Sequence, residues 1–255
     1  MFKTNSERKE EPGPLYKKNV WKVERMSSDK KTSRLLGASF HLQALASMIS
    51  GLFLLQPLID TGNIVGTMTN IAGNVSQMRA SIVVEMITAM GIVMLGTILY
   101  ATLKKQNNRV ALVALGMYIL EASILAMSRI PAFTLLSVSR ESVIAGHSVY
   151  LQTMGTLFYE LQDFGYSLHM LPFALGATMF YYLFYRAGYI PRALNLLGLI
   201  AAPLASIGTL FTLLGIEVPI FVFLPNLPFE LGIGLWLISK GVRVATENGE
   251  NSLED

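Results

Sequence analysis

Residues 224–241 read LPNLPFELGIGLWLISKG, a mostly apolar stretch that ends at Lys240. Pro225 and Pro228 interrupt it, because proline lacks the backbone N–H that a helix interior uses. Glu230 lies two residues after the second proline. This pattern is unusual for a helix in water but typical of an interrupted membrane helix, in which a buried acid marks a candidate functional site.

The rest of the chain has the composition of a membrane protein. Of its 255 residues, 52% are hydrophobic and 15% are charged, whereas a soluble domain carries about 25% charged residues. Six apolar runs approach or exceed the roughly 20 residues that a membrane-spanning helix needs. They are residues 35–58, 80–103, 110–128, 164–185, 193–215 and 219–239. The sequence therefore predicts an all-α, polytopic bundle of six transmembrane helices.

The placement of basic residues predicts the orientation in the plasma membrane. With a cytoplasmic N-terminus, all but three of the 20 Lys and Arg residues fall on the cytoplasmic side; the exceptions are Arg79, Arg129 and Arg140. Such asymmetry predicts that both termini are cytoplasmic. We expect residues 1–33 to form a disordered basic tail, residues 34–243 the membrane domain, and residues 244–255 an acidic tail.

Two loops on the predicted outer side carry helical periodicity. In the 1–2 loop and again in the 3–4 loop, apolar residues are spaced by four and three positions, which places them on one helical face. These residues are Ile64, Met68, Ile71, Val75 and Met78, followed by Tyr150, Met154, Leu157, Leu161 and Phe164. We expect a short amphipathic helix in each loop, with an ordered loop packed over the bundle as the alternative for the first.

Ionisable groups inside the spans are the candidate site residues, because a charge in hydrocarbon costs several kcal/mol unless it is paired, hydrated or neutralised. A rise of 1.5 Å per residue places Glu230 and Glu121 at depths of about 15 and 18 Å from the cytoplasmic side. His169 and Glu85 fall at about 25 and 28 Å, and Arg129 at about 30 Å. The estimate for His41 is only about 10 Å, which suggests a different neighbourhood and an interhelical hydrogen bond.

We therefore predict one polar site in the outer half of the bundle. Its candidate members are Glu85, Glu121, His169, Glu230 and Asn226, with Arg129, Asp163 and Glu160 at the outer mouth. Carboxyl groups crowded in a low dielectric favour the neutral form, so these groups are suited to holding and releasing a proton. The first functional hypothesis is a proton-coupled carrier of a small solute or ion.

Two alternatives stay open. In one, the protein has no catalytic activity and serves as a structural or sensor protein whose buried acids form a hydrogen-bond network. In the other, it is an intramembrane enzyme in which His169, Glu85 and Glu121 bind a metal or act as acid and base. Neither His-Glu-x-x-His nor Gly-x-Ser-x-Gly occurs, so we assign no metal or cofactor and lean against an enzyme. The net charge of +3 comes from the N-tail, which does not favour nucleic-acid binding.

The chain resembles an uncharacterised six-helix integral membrane family of prokaryotes. The resemblance covers about residues 34–241, and its most specific part is Pro-x-x-Pro-x-Glu…Trp-Leu-Ile-x-Lys-Gly at 225–241. Further points are Thr67-x-x-Asn70 with Arg79, the Asp163-Phe-Gly-Tyr approach to His169, and Ile190-Pro-Arg. The resemblance implies the six-helix architecture and brings no activity with it.

Overall fold

The computed structural model describes residues 14–241, and it describes side chains for residues 30–219 and 221–241. All regular secondary structure in those residues is helical, which confirms the all-α fold class. The α-helices are α1 (Pro14–Met48), α2 (Ile64–Gly73), α3 (Val75–Leu103), α4 (Asn108–Met127), α5 (Arg129–Ile144), α6 (Val149–Ala187), α7 (Arg192–Leu213) and α8 (Asn226–Ser239). A π-helical segment (Ile49–Leu55) and a 3-10 turn (Gln56–Leu58) extend α1, and a second 3-10 turn covers Ile220–Val222.

Five segments within the described residues are long and apolar enough to cross a membrane. They are Lys30–Leu58, Val75–Leu103, Asn108–Ile144, Val149–Ala187 and Arg192–Leu213. The predicted sixth span contains only the 14 residues of α8, about 21 Å of helix against a hydrocarbon core of roughly 30 Å. The residues before α8 form a loop and a 3-10 turn, where the sequence predicts a bent or partly unwound segment. The six-span count stays a prediction.

Residues 1–13 of the predicted N-tail and the whole predicted acidic tail lie outside the described residues. Residues 14–33, which the sequence assigns to a disordered tail, belong to α1 here. The domain boundaries at 34 and 243 stay predictions.

The loop between the third and fourth predicted spans differs from expectation, because it contains α5 and the beginning of α6. The third predicted span ends at Ser128, and a new helix begins directly after it; Pro131 lies in the first turn of α5, where its missing N–H costs no hydrogen bond. Ala132, Leu135 and Leu136 are buried along α5, which is the spacing of an amphipathic helix. The amphipathic helix predicted over 150–164 is continuous with the fourth predicted span, as the first part of α6, which has 39 residues.

Two hydrophobic cores result. The larger joins α1, α3, α4, α6, α7 and α8. The smaller joins α2, α5, the start of α3 and the 3-10 turn after α1, with Met68, Leu135 and Leu136 at its centre. At about 58 Å, α6 is roughly twice as long as a hydrocarbon core is thick, so its first half reaches beyond the larger core to the smaller one.

Glycines let α8 lie directly against α1. A Cβ atom at Gly37 would come 2.6 Å from the Gly234 carbonyl oxygen, and a Cβ at Gly234 would come 2.8 Å from the ring of His41. Small residues allow such close backbone approach between helices. This contact fixes the height at which Glu230 faces α1.

Candidate functional site

Four of the five predicted site residues line one cavity of about 280 Å³, which we call the Glu230 cavity. Glu230 and Asn226 come from α8, Glu121 from α4 and His169 from α6. All four side chains are buried, with at most 8% of their surface exposed. The depth estimates had placed Glu121 and Glu230 near each other, and their carboxyl groups interact electrostatically.

Two residues of α1 form hydrogen bonds with α8. The Gln43 amide nitrogen donates to Glu230 Oε2 at 2.9 Å. One residue further along α8, the His41 ring nitrogen lies 3.2 Å from the Leu231 carbonyl oxygen. This is the interhelical hydrogen bond that the sequence predicts for His41, although the depth estimate placed His41 away from Glu230. Gln43 is therefore a site residue that the sequence analysis did not propose.

Several polar atoms in the Glu230 cavity lack protein partners. Glu121 Oε2, His169 Nδ1 and Asn226 Oδ1 are buried without a hydrogen bond among the described residues. A buried polar group without a partner costs about 1–3 kcal/mol, so native proteins keep few of them unless water, a ligand or a proton satisfies them. Among the described residues that line the cavity, there is no lysine or arginine.

The amide of Asn226 is held at the broken start of α8. Its nitrogen lies 3.4 Å from the carbonyl oxygens of Ala201 on α7 and Phe223 before α8. Pro225 is the N-cap of α8 and Pro228 lies in its first turn, where a missing N–H costs no helical hydrogen bond. The start of α8 and the Asn226 amide thus border the cavity, as expected for an interrupted membrane helix.

A second cavity of about 310 Å³, the Arg129 cavity, contains the remaining predicted residues except Glu160. Glu85 of α3 and Arg129 at the α4–α5 junction are buried, whereas Asp163 of α6 is exposed on its rim. Arg129 donates from Nε and Nη2 to Ser128 Oγ at 3.1 and 2.7 Å. Glu160 is exposed and lines neither cavity. The structure therefore divides the predicted group between two cavities.

The two cavities share Gly51, Leu52 and Tyr166 as lining residues. Gly51 and Leu52 belong to the π-helical segment, a rare feature that often occurs at functional sites. Two hydrogen bonds with α3 hold this segment, from Ser50 to the Ser81 carbonyl at 3.0 Å and from Gln77 to the Leu54 carbonyl at 2.9 Å.

The ring of Tyr166 meets the ring of His169 edge-on, at 4.8 Å between centroids. The sequence signal for Tyr166 was its position three residues before His169, on the same helical face. The π-helical segment had only weak sequence signals, the adjacent Ser50 and Gly51 and the nearby Pro57.

The three residues that the sequence suggests as metal ligands do not line the same cavity. Glu85 lines the Arg129 cavity, whereas Glu121 and His169 line the Glu230 cavity. In the described part of the chain, no three His, Cys, Asp or Glu residues are grouped so that they could hold a metal ion. The geometry gives no support to the metal-dependent enzyme.

One protein family matches this chain. A family model described as a domain of unknown function, DUF4386, covers residues 35–241. This range is almost the one over which the sequence resembles a six-helix membrane family. No curated protein and no solved structure matches.

Proposed function

This chain belongs to the DUF4386 family, and we propose that it is a carrier in the plasma membrane that moves a small polar solute or ion together with protons. One observation supports this most strongly: two buried carboxyl groups, an imidazole and two amides from four helices surround a cavity that no described lysine or arginine lines. Burial without a nearby cation favours the neutral carboxylic acid. Glu121 and Glu230 are thus the proposed proton carriers.

The proposed topology has six crossings with both termini in the cytoplasm. The sixth crossing combines α8 with the loop and 3-10 turn before it, since unwound backbone is tolerated at membrane depth where it borders a cavity. The distribution of Lys and Arg supports this orientation. The Arg129 cavity then faces the extracytoplasmic side and the Glu230 cavity lies deeper.

The proposed path leads from the Arg129 cavity to the Glu230 cavity past Tyr166, Gly51 and Leu52, the residues that line both. The π-helical segment Ile49–Leu55 contributes two of these three residues, and such segments are frequent at functional sites. We assign to this segment the role of the moving barrier between the two cavities.

A transport assay tests the proposal. Purified protein is reconstituted in liposomes that contain a pH-sensitive dye, and inward gradients of Na⁺, K⁺, alanine and lactate are applied in turn. We expect one class of solute to drive proton movement in the wild type. Glu230→Gln and Glu121→Gln should abolish the proton movement, whereas Glu141→Gln, at an exposed glutamate of α5, should not. Solute transport with unchanged pH dependence in Glu230→Gln would exclude the proton role.

The structural alternative predicts a different outcome of the same assay. If Glu230 only ties α8 to α1 through Gln43, no solute drives proton movement in the wild type. In that case Glu230→Gln lowers only the melting temperature.

The topology is tested separately, and the absence of cysteine in the chain makes this direct. Single-cysteine variants Ser6→Cys, Ala145→Cys and Ser252→Cys are exposed to a membrane-impermeant maleimide in intact cells. The proposal predicts labelling of the Ala145→Cys variant alone, with labelling of all three after the cells are opened. Labelling of either tail in intact cells would contradict cytoplasmic termini.

A further inference from the structure

Arg129 has more hydrogen-bond donors than the described residues accept. Its guanidinium carries five N–H groups in a planar fork. Both hydrogen bonds that it donates within the described part of the chain go to Ser128, one from Nε and one from Nη2. Only 5% of the Arg129 surface is exposed, and that side chain lines the Arg129 cavity. A buried guanidinium with free N–H groups is suited to a bidentate contact with a carboxylate.

The same cavity contains acceptors that also lack partners. Glu85 Oε1 and Gln162 Oε1 are buried and make no hydrogen bond with the described residues. Glu85 and Gln162 are 2% and 4% exposed, and both line the cavity. Asp163 adds a further carboxylate at the rim. These oxygens require N–H or O–H donors, which a carboxylate ligand alone does not supply.

Among the described residues, Glu85 accepts no hydrogen bond from Arg129. The two groups interact electrostatically, but the guanidinium donates to Ser128 rather than to Glu85. A ligand between them that carries both charges would satisfy the unused donors and the unused acceptors together. The walls also include apolar side chains, those of Leu52, Leu55 and Ile59, which suit a small apolar substituent.

We propose that the Arg129 cavity binds a small zwitterion of the amino-acid type. Its carboxylate contacts the Arg129 guanidinium, its ammonium group donates to Glu85 and Gln162, and its side chain lies against the apolar wall. The volume of about 310 Å³ is at the lower end of the roughly 300–1,000 Å³ found for ligand pockets. Transport of the bound zwitterion rests on the proposed carrier function. Binding of the zwitterion is independent of that function.

Binding is measured on the full chain in lipid nanodiscs by calorimetry, with three probes of similar size. Alanine carries both charges, propionate carries only the carboxylate, and ethylamine carries only the ammonium group. The proposal predicts that alanine binds at least about 10-fold more tightly than either, because each missing charge-assisted hydrogen bond costs roughly 1.5–3 kcal/mol, or about a factor of 10 to 100 in affinity.

Variants test the assigned contacts. Arg129→Gln should weaken alanine binding by about 10- to 100-fold and remove the preference for alanine over ethylamine. Glu85→Gln should reduce the preference for alanine over propionate. The matched control is Arg140→Gln, at an exposed arginine of α5, which should bind alanine like the wild type.

The probe series on the wild type decides the proposal even where a variant does not fold. Propionate or ethylamine binding as tightly as alanine, or no binding by any of the three, would overturn it. Alanine binding without alanine-driven proton movement in liposomes would uphold the site and reject the carrier. Proton movement driven by another solute, without alanine binding, would do the reverse.

Discussion

The Glu230 cavity and the Arg129 cavity contain the same kind of buried acid in two different electrostatic settings. Glu85 lies in the Arg129 cavity with a buried guanidinium nearby. Glu121 and Glu230 share a cavity that no described lysine or arginine lines. A cation can keep one carboxylate charged, whereas two carboxyl groups without one must take up protons or water. The comparison suggests charge recognition in one cavity and proton handling in the other.

The largest expected effect comes from a substitution that disrupts the Glu230 cavity. In Gly37→Val, a Cβ would lie 2.6 Å from the Gly234 carbonyl oxygen, so α8 must move away from α1 and the Gln43–Glu230 contact is lost. We expect a loss of about 3 kcal/mol in the free energy of unfolding, measured by thermal or denaturant unfolding in detergent. Gly116→Val is the matched control, because nothing lies within 4 Å of a Cβ there. Equal stability of the two variants would contradict the close helix contact.

The next largest effect is expected when the cation of the Arg129 cavity is removed. Among the described residues, Glu85 is then a buried acid without a nearby cation, as the acids of the Glu230 cavity are. Arg129→Gln should lower the free energy of unfolding by about 2 kcal/mol, because charge-assisted hydrogen bonds to Ser128 are lost and Glu85 loses its cation. Adding Glu85→Gln should recover part of that loss, with a coupling of at least about 0.5 kcal/mol in a double-mutant cycle. Arg140→Gln serves as control. Additive effects would show that Glu85 does not depend on Arg129.

A smaller effect concerns Gln43, whose amide donates to Glu230. Gln43→Leu should cost about 1–2 kcal/mol, because a buried acceptor loses its partner. Gln106→Leu, at an exposed glutamine in the turn after α3, controls for the loss of an amide. Wild-type stability of Gln43→Leu, measured by the same unfolding assay, would argue that water replaces the amide at no cost.

The smallest effect is expected at Glu121. In the proposed function Glu121 is a neutral carboxylic acid, so Glu121→Gln exchanges it for a neutral amide of the same shape and the free energy of unfolding should change by less than about 0.5 kcal/mol. Glu85→Gln should cost more, because it removes an electrostatic contact with Arg129. A larger loss for Glu121→Gln than for Glu85→Gln would reverse the proposed difference between the cavities.

Much of the Glu230 cavity could be predicted from hydrophobic length and helical rise. The apolar runs define the helices, and counting 1.5 Å per residue brings Glu121 and Glu230 to similar depths. The proline break at 225 and 228 also indicates the broken start of α8. These inferences succeed because they depend on local geometry that a helix cannot avoid.

The division into two cavities could not be predicted, because it depends on packing between helices. Glu85 and Thr88 lie one turn apart on α3, yet they line different cavities. The π-helical segment that lies between the cavities is held by Ser81 and Gln77 of α3, which are distant in sequence. The start of α5 was missed for another reason: a proline just after an apolar run usually marks a helix end, but proline is also tolerated in a first turn, which is where Pro131 lies.

The protonation of the buried acids tests the comparison most directly. Infrared spectroscopy of the protein in nanodiscs at neutral pH resolves the C=O stretch of protonated carboxyl groups from that of carboxylates. The account predicts a protonated carboxyl band that decreases in both Glu121→Gln and Glu230→Gln and is unchanged in Glu85→Gln. A band that is absent from the wild type, or one that disappears only in Glu85→Gln, would contradict the assignment of proton handling to the Glu230 cavity.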